Sequence, residues 1–151
     1  MAENFSFDQW RGRLHDCEGF ASEEKCDEFL RLLGAAEKNM SYAVVVELLR
    51  TFSDADDLGI QERTRNIVES VDRHIFYPAL IRELGGIVDR SPQKQWAITL
   101  VGIELKYGDF ELLMKTLSNA IAEERARFIS FLKSDDFIDE YRTVSKYLAG
   151  L

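Results

Sequence analysis

Apolar positions recur at three- and four-residue spacing along almost the whole chain, and that spacing predicts one helix after another. Phe7, Trp10, Leu14 and Cys17 mark one face of a first helix, with Ser6 and Gln9 placed as a capping box at its start and Gly19 at its end. Ser22 predicts the cap of a second, whose first turn carries Glu23 and Glu24 where the positive end of the helix dipole favours acids. Its inward face is Cys26, Phe29, Leu30 and Leu33, and Gly34 predicts its end. Ser41 opens a third helix with Tyr42, Val45, Leu48, Leu49 and Phe52 on the apolar side. Val44-Val45-Val46 suits a strand by propensity, but the period on both sides of it is helical.

Ile60, Thr64, Ile67, Val68, Val71 and Ile75 describe a fourth helix. Pro78 fits the first turn of a fifth that carries Leu80, Ile81, Leu84 and Val88. Ser91-Pro92 reads as a cap followed by proline at the first helical position, opening a sixth with Trp96, Leu100, Ile103 and Tyr107 that Gly108 closes. Asp109 caps a seventh (Phe110, Leu113, Met114, Leu117, Ile121), Glu123 and Glu124 begin an eighth (Ala126, Ile129, Leu132), and Asp135 caps a ninth (Phe137, Tyr141, Val144, Leu148). The expectation is a single all-α domain over residues 1–151, with eight or nine helices arranged in antiparallel hairpins. Helix pairs opening at Ser41, Pro78 and Asp109 are spaced by roughly 37 and roughly 31 residues, the range of hairpin solenoids, which predicts a short HEAT-like stack. The pairs share little sequence, so an irregular bundle stands beside it.

Composition adds to this picture in a few places. A chain of 151 residues with 46% hydrophobic positions and 10 Phe can enclose a continuous core. No apolar run approaches the roughly 20 residues that span a bilayer, and Met1-Ala2-Glu3-Asn4-Phe5 lacks a positive leader, so the expected location is the cytoplasm. Cys17 and Cys26 lack a CxxC spacing and are expected to be free thiols. The formal charge is -8, with the acidic excess lying before residue 90. Arg63, Arg65, Arg73, Arg82 and Arg90 are interleaved with acids, which argues against nucleic acid, and against an anionic membrane, and favours a basic protein partner. The same acidity also serves ordinary solubility.

Catalytic and metal-binding patterns are tested in turn. Asp54, Asp56 and Gly59 fit positions 1, 3 and 6 of a calcium loop, but position 5 is Leu58 and the place of the bidentate Glu is taken by Arg65. His15 and His74 each lack a second histidine at helical spacing. No GxSxG elbow and no phosphate-cradling glycine motif occurs. The expectation is therefore a protein that is not an enzyme and holds no metal or cofactor. What remains is an acid set: Asp54, Asp56 and Asp57 in the turn before the fourth helix, and Glu62, Glu69 and Asp72 at spacings that put them near one side of it. Together they predict one negative, partner-binding patch; singly, each also suits dipole complementation or solvation of an outer face. Phe76, Tyr77 and Trp96 are candidate apolar anchors if exposed, with core packing the more ordinary role.

The stretch from Leu49 through Thr51-Phe52-Ser53-Asp54-Ala55-Asp56-Asp57-Leu58-Gly59-Ile60 to Glu62, continued by Ile67-Val68-Glu69-Ser70-Val71, resembles the middle of the small all-helical immunity proteins of bacterial polymorphic-toxin and contact-dependent growth inhibition systems. Tyr77-Pro78-Ala79-Leu80-Ile81 and Gln95-Trp96-Ala97 are similar too, so the resemblance covers Ser41 to Leu132 and leaves the first forty residues outside it. It implies a cytoplasmic protein that binds and neutralises a cognate toxin domain, often a nuclease. A helical adaptor or scaffold with no toxin partner is the alternative of a different class.

Overall fold

The computed structural model describes residues 5–55 and 59–143, and among these the chain forms nine α-helices and no strand. They are α1 (Phe7–Cys17), α2 (Glu23–Glu37), α3 (Tyr42–Leu49), α4 (Ile60–Glu69), α5 (Arg73–Arg90), α6 (Gln95–Tyr107), α7 (Phe110–Ser118), α8 (Ala122–Leu132) and α9 (Asp135–Glu140). The serine and aspartate caps explain most of the starts. Ser22 accepts the N–H of Lys25, Ser41 that of Val44 and Asp109 that of Leu112, each supplying an acceptor that the first helical turn otherwise lacks. Ser6 precedes α1 as expected, but its side chain makes no capping bond.

The expected boundaries are corrected in several places. α2 runs through Gly34 to Glu37, because only a continued helix buries Ala36, which is fully enclosed. α4 stops at Glu69, and Val71 and Ile75 fall outside it. The cause is Asp72, whose carboxylate accepts the His74 N–H at 2.7 Å while its carbonyl accepts those of Ile75 and Phe76. That cap starts α5 at Arg73, so Pro78 lies inside the helix and not in its first turn. Pro78 leaves the His74 carbonyl without its helical donor, and His74 is exposed enough for water to take that place. Ser91 closes α5 instead of opening α6: its N–H reaches Ile87, and its carbonyl accepts the Lys94 N–H at 2.7 Å. Pro92 thus occupies the second position of a turn, a place its fixed φ suits, and Lys94 at φ 57 leads into α6. At the far end Ser134, not Asp135, caps α9. Ile121 lies beyond α7, Ala126 is exposed while Phe128 and Phe131 take the buried face of α8, and Val144 and Leu148 lie outside the described residues.

α5 holds the fold together. Its 18 residues span about 27 Å, and Phe76, Tyr77, Ala79, Leu80, Ile81, Glu83, Leu84 and Ile87 are buried on more than one of its sides. A helix apolar around much of its circumference must be surrounded, and α5 packs against α3, α4, α6, α7 and α8. The α1–α2 pair joins through α2 on α4, and α9 returns to α6 past the intervening α7 and α8. With the helices paired α1–α2, α3–α4, α5–α6 and α7–α8, the contacts of α5 fall on its own and the adjacent hairpins, as in a linear stack, while α9 on α6 steps outside that order as in an irregular bundle. The core runs without a break from Leu14, Phe29 and Leu33 through Leu48, Leu49 and Phe52 to Leu80, Leu100, Leu113, Phe128 and Phe137. Burial of each such side chain contributes about 1.5–3 kcal/mol. Phe76 and Tyr77 are buried and the half-buried Trp96 packs its ring 5.2 Å from that of Phe52, so all three candidate anchors serve packing. Cys17 and Cys26 are free thiols. No helix among the described residues is long and apolar enough to cross a membrane.

Candidate binding face

α4 has a narrow apolar stripe of Ile60, Thr64, Ile67 and Val68 turned to the core, and beside it a charged row in which Glu62 is exposed while Arg65 and Glu69 are largely enclosed, 16% and 18% exposed. Arg65 stands in the middle of that row. Its guanidinium binds Glu62 one turn before it and Glu69 one turn after it, the latter at 2.9 Å. The two carboxylates are about 10 Å apart along the axis, so the expected shared face of Glu62 and Glu69 exists, with a cation built into it. The Glu62 hydrogen bond is the first cause of the rise in the Arg65 pKa. Burial pushes the Glu69 carboxyl above its usual range; Arg65 opposes the shift, and Glu104 and Glu62 add to it. Glu69 Oε1 and Arg65 Nε are enclosed and make no hydrogen bond. An unanswered buried polar atom costs about 1–3 kcal/mol, so this row is not optimised for stability.

Asp72 is not on α4 but caps α5, and the backbone N–H of His74, followed by its ring, holds the Asp72 carboxyl below the usual range. At this end of α4 the structure brings Glu69 and Asp72 together. With Asp109, Val71, Arg73, His74 and Leu112 they line a cleft of about 380 Å³ between the head of α5 and the start of α7. Asp54 stands at the opposite end of α4, exposed, where it accepts the Gln93 N–H at 3.2 Å. Asp56 and Asp57 lie outside the described residues. The acid set is thus two groups at the two ends of α4, joined by the Glu62–Arg65–Glu69 row. Counting the row and the cleft together, Glu62, Glu69, Asp72 and Asp109 face Arg65 and Arg73, a negative surface with fixed cations inside it. Such a surface accepts hydrogen bonds and attracts guanidinium or ammonium groups. Among the described residues no three His, Cys, Asp or Glu side chains converge to hold a metal ion.

Beneath the surface lies an ionic framework that the sequence reading missed. Glu47, Glu83 and Glu104 are buried, with relative exposures of 5%, 7% and 5%. Each is answered from another helix. Glu47 meets the His15 ring at 2.6 Å and Arg50 at 3.2 Å. Glu83 receives Arg50 Nε at 2.7 Å, and Glu104 receives the Tyr77 hydroxyl at 2.8 Å with Arg73 at 3.7 Å. The Tyr77 oxygen in turn accepts the Asp109 N–H at 2.9 Å, and burial, offset in part by that bond, pushes its pKa up to about 12. The Glu83 hydrogen bond raises the Arg50 pKa. Arg90 donates to the carbonyls of Leu49 and Phe52, answering the end of α3. A signal for all three carboxylates was present in the sequence: Val-Val-Val-Glu47-Leu-Leu, Leu-Ile-Arg-Glu83-Leu and Val-Gly-Ile-Glu104-Leu each set one acid inside an apolar run. An acid so placed is drawn inward with its neighbours and needs a cation there.

Comparison with known protein families, with curated proteins and with solved structures gives no match to this chain.

Proposed function

We propose that this chain is a binding protein of the immunity type, which holds a basic toxin domain against the negative face built by α4, the head of α5 and the start of α7. The reading rests first on one observation, the Glu62–Arg65–Glu69 row that leads into the Asp72–Asp109 cleft. A nuclease domain must present cations to hold phosphates, and an acidic inhibitor gains fast association and discrimination from facing them. Arg65 fixes the flanking carboxylates before the partner arrives, so less side-chain freedom is lost on binding. In this reading the protein acts in the cytoplasm, carries no catalytic step and needs no cofactor.

The test is co-expression with the toxin domain encoded immediately upstream, scored by survival of the host cells and by co-purification. Survival with a stable complex supports the immunity reading. Capture of a host protein with no toxin encoded nearby supports the adaptor alternative. Replacement of Glu62 by Lys together with Asp72 by Asn, which keeps the α5 cap, is expected to weaken the complex at least tenfold while helicity is retained; unchanged affinity would move the interface away from this face.

A further inference from the structure

The seam between α1 and α2 carries a groove of about 630 Å³, larger than the acidic cleft and opposite to it in sign. Its floor is Phe5, Trp10, Leu32 and Ala35. Trp10 is held in place by its indole N–H, which donates to the Leu32 carbonyl at 2.9 Å, and by the Phe5 and Phe7 rings at 5.8 and 5.9 Å. Gly34 opens the floor further: a Cβ placed there would meet nothing within 4 Å. The rim is Arg13, Arg31 and Lys38. One carboxylate, Glu28, binds both arginines, Arg31 Nε at 2.9 Å. Three cations therefore share one acid, on a protein whose net charge is -8. Because a guanidinium carries five N–H donors and Glu28 takes only some of them, both arginines are oriented with donors to spare. Lys38 enters no ion pair with a described residue.

The lining residues repeat at helical spacing, Ser6 at the cap of α1 with Gln9, Trp10 and Arg13 along it, and Arg31 and Ala35 along α2 with Lys38 at its C-terminal cap. Each row covers about 10 Å along its helix, the length of about three residues of extended chain. We propose that this groove docks a short acidic peptide segment of a partner protein, which inserts one bulky apolar side chain over Trp10 and Gly34 and sets its carboxylates against Arg13, Arg31 and Lys38. Charge selects this occupant. The groove repels the basic surface that the α4 face attracts, so the two sites take different partners, and the groove stands or falls independently of the immunity reading.

The probe is a fluorescein-labelled hexapeptide, Asp-Glu-Phe-Leu-Asp-Glu, titrated with the full chain and read by fluorescence anisotropy. Saturable binding is expected, weakened at least tenfold by Arg31→Glu with Lys38→Glu and by raising salt from 50 to 300 mM. Gly34→Leu is expected to abolish binding by filling the open floor while leaving the helical circular dichroism unchanged, since its Cβ enters open space and leucine favours the helix over glycine. Equal binding of Lys-Lys-Phe-Leu-Lys-Lys, or unaltered binding by a folded Gly34→Leu variant, overturns the proposal. So does concentration-dependent self-association that Gly34→Leu removes, which would make a second copy the occupant.

Discussion

Replacing His15 by Ala tests whether the buried ionic framework contributes stability, and pH supplies the control. His15 places Nδ1 2.7 Å from Glu18 and Nε2 2.6 Å from Glu47. Ionised carboxylates only accept, and a neutral imidazole donates from one nitrogen, so the folded arrangement is that of an imidazolium donating from both. Burial on its own would lower the His15 pKa, but the two hydrogen bonds outweigh it and the net shift is upward from 6.5. The other charges around the pair are Arg50 on α3 and Glu83, Arg82 and Arg90 on α5. A raised folded pKa contributes stability that is complete below pH 6.5 and disappears as pH climbs through the higher folded value. The Glu18 bond lies near solvent and adds about 0.5 kcal/mol. The Glu47 bond is enclosed, with that side chain 7% exposed, and a charge-assisted bond there contributes about 1.5–3 kcal/mol. Arg50 stays on Glu47 in the variant, which keeps the loss below that of a fully abandoned buried charge. Urea unfolding followed by circular dichroism from pH 5.5 to 9.5 should show His15→Ala about 2–3 kcal/mol less stable at the acid end, with the two curves converging at the alkaline end. A difference that stays constant with pH, or one under about 0.5 kcal/mol throughout, would refute the reasoning.

Tyr77→Phe removes the hydroxyl that serves Glu104 and Asp109, leaving the buried Glu104 with Arg73 alone and the Asp109 N–H without its acceptor; a loss of about 1–3 kcal/mol in urea unfolding is expected. Gly102→Ala would drive a Cβ into the Tyr141 ring, so limited proteolysis should cut residues 135–143 faster than in the wild type while the rest of the chain stays resistant, at a cost of about 1–3 kcal/mol. Arg50→Met leaves Glu47 with His15 alone and Glu83 with the more exposed Arg82. About 3 kcal/mol should be lost, and adding Glu83→Gln should recover part of it, a coupling that a double-mutant cycle reads directly.

The helices were legible because their caps and their 3.6-residue period agree, as at Ser22, Ser41 and Asp109. Where two local signals competed, the sequence alone did not rank them. Pro78 suggested a helix start, but Asp72 six residues earlier offers the backbone an acceptor, and that cap sets the boundary. Pro92 suggested another, but the same fixed φ serves a turn equally well. Glycine in mid-helix misled at Gly34, because the burial of Ala36 depends on contacts from distant parts of the chain. The same holds for the binding face. Helical spacing put Glu62 and Glu69 on one side of α4, and the three- and four-residue steps to Arg65 place that cation between them as well, yet spacing does not reveal that Asp109 arrives from α7.

The carboxylates Glu47, Glu83 and Glu104 bear on how this sequence is able to drift. An apolar core position tolerates many replacements of similar volume one at a time. Arg50 and Glu83 are tied more closely to each other, because loss of Arg50 leaves the buried Glu83 with only the more exposed Arg82, and loss of Glu83 leaves Arg50 with Glu47 alone. Neutral change at these sites must come in pairs, so a library randomised at both positions should return variants that keep both charges or lose both, with few in between.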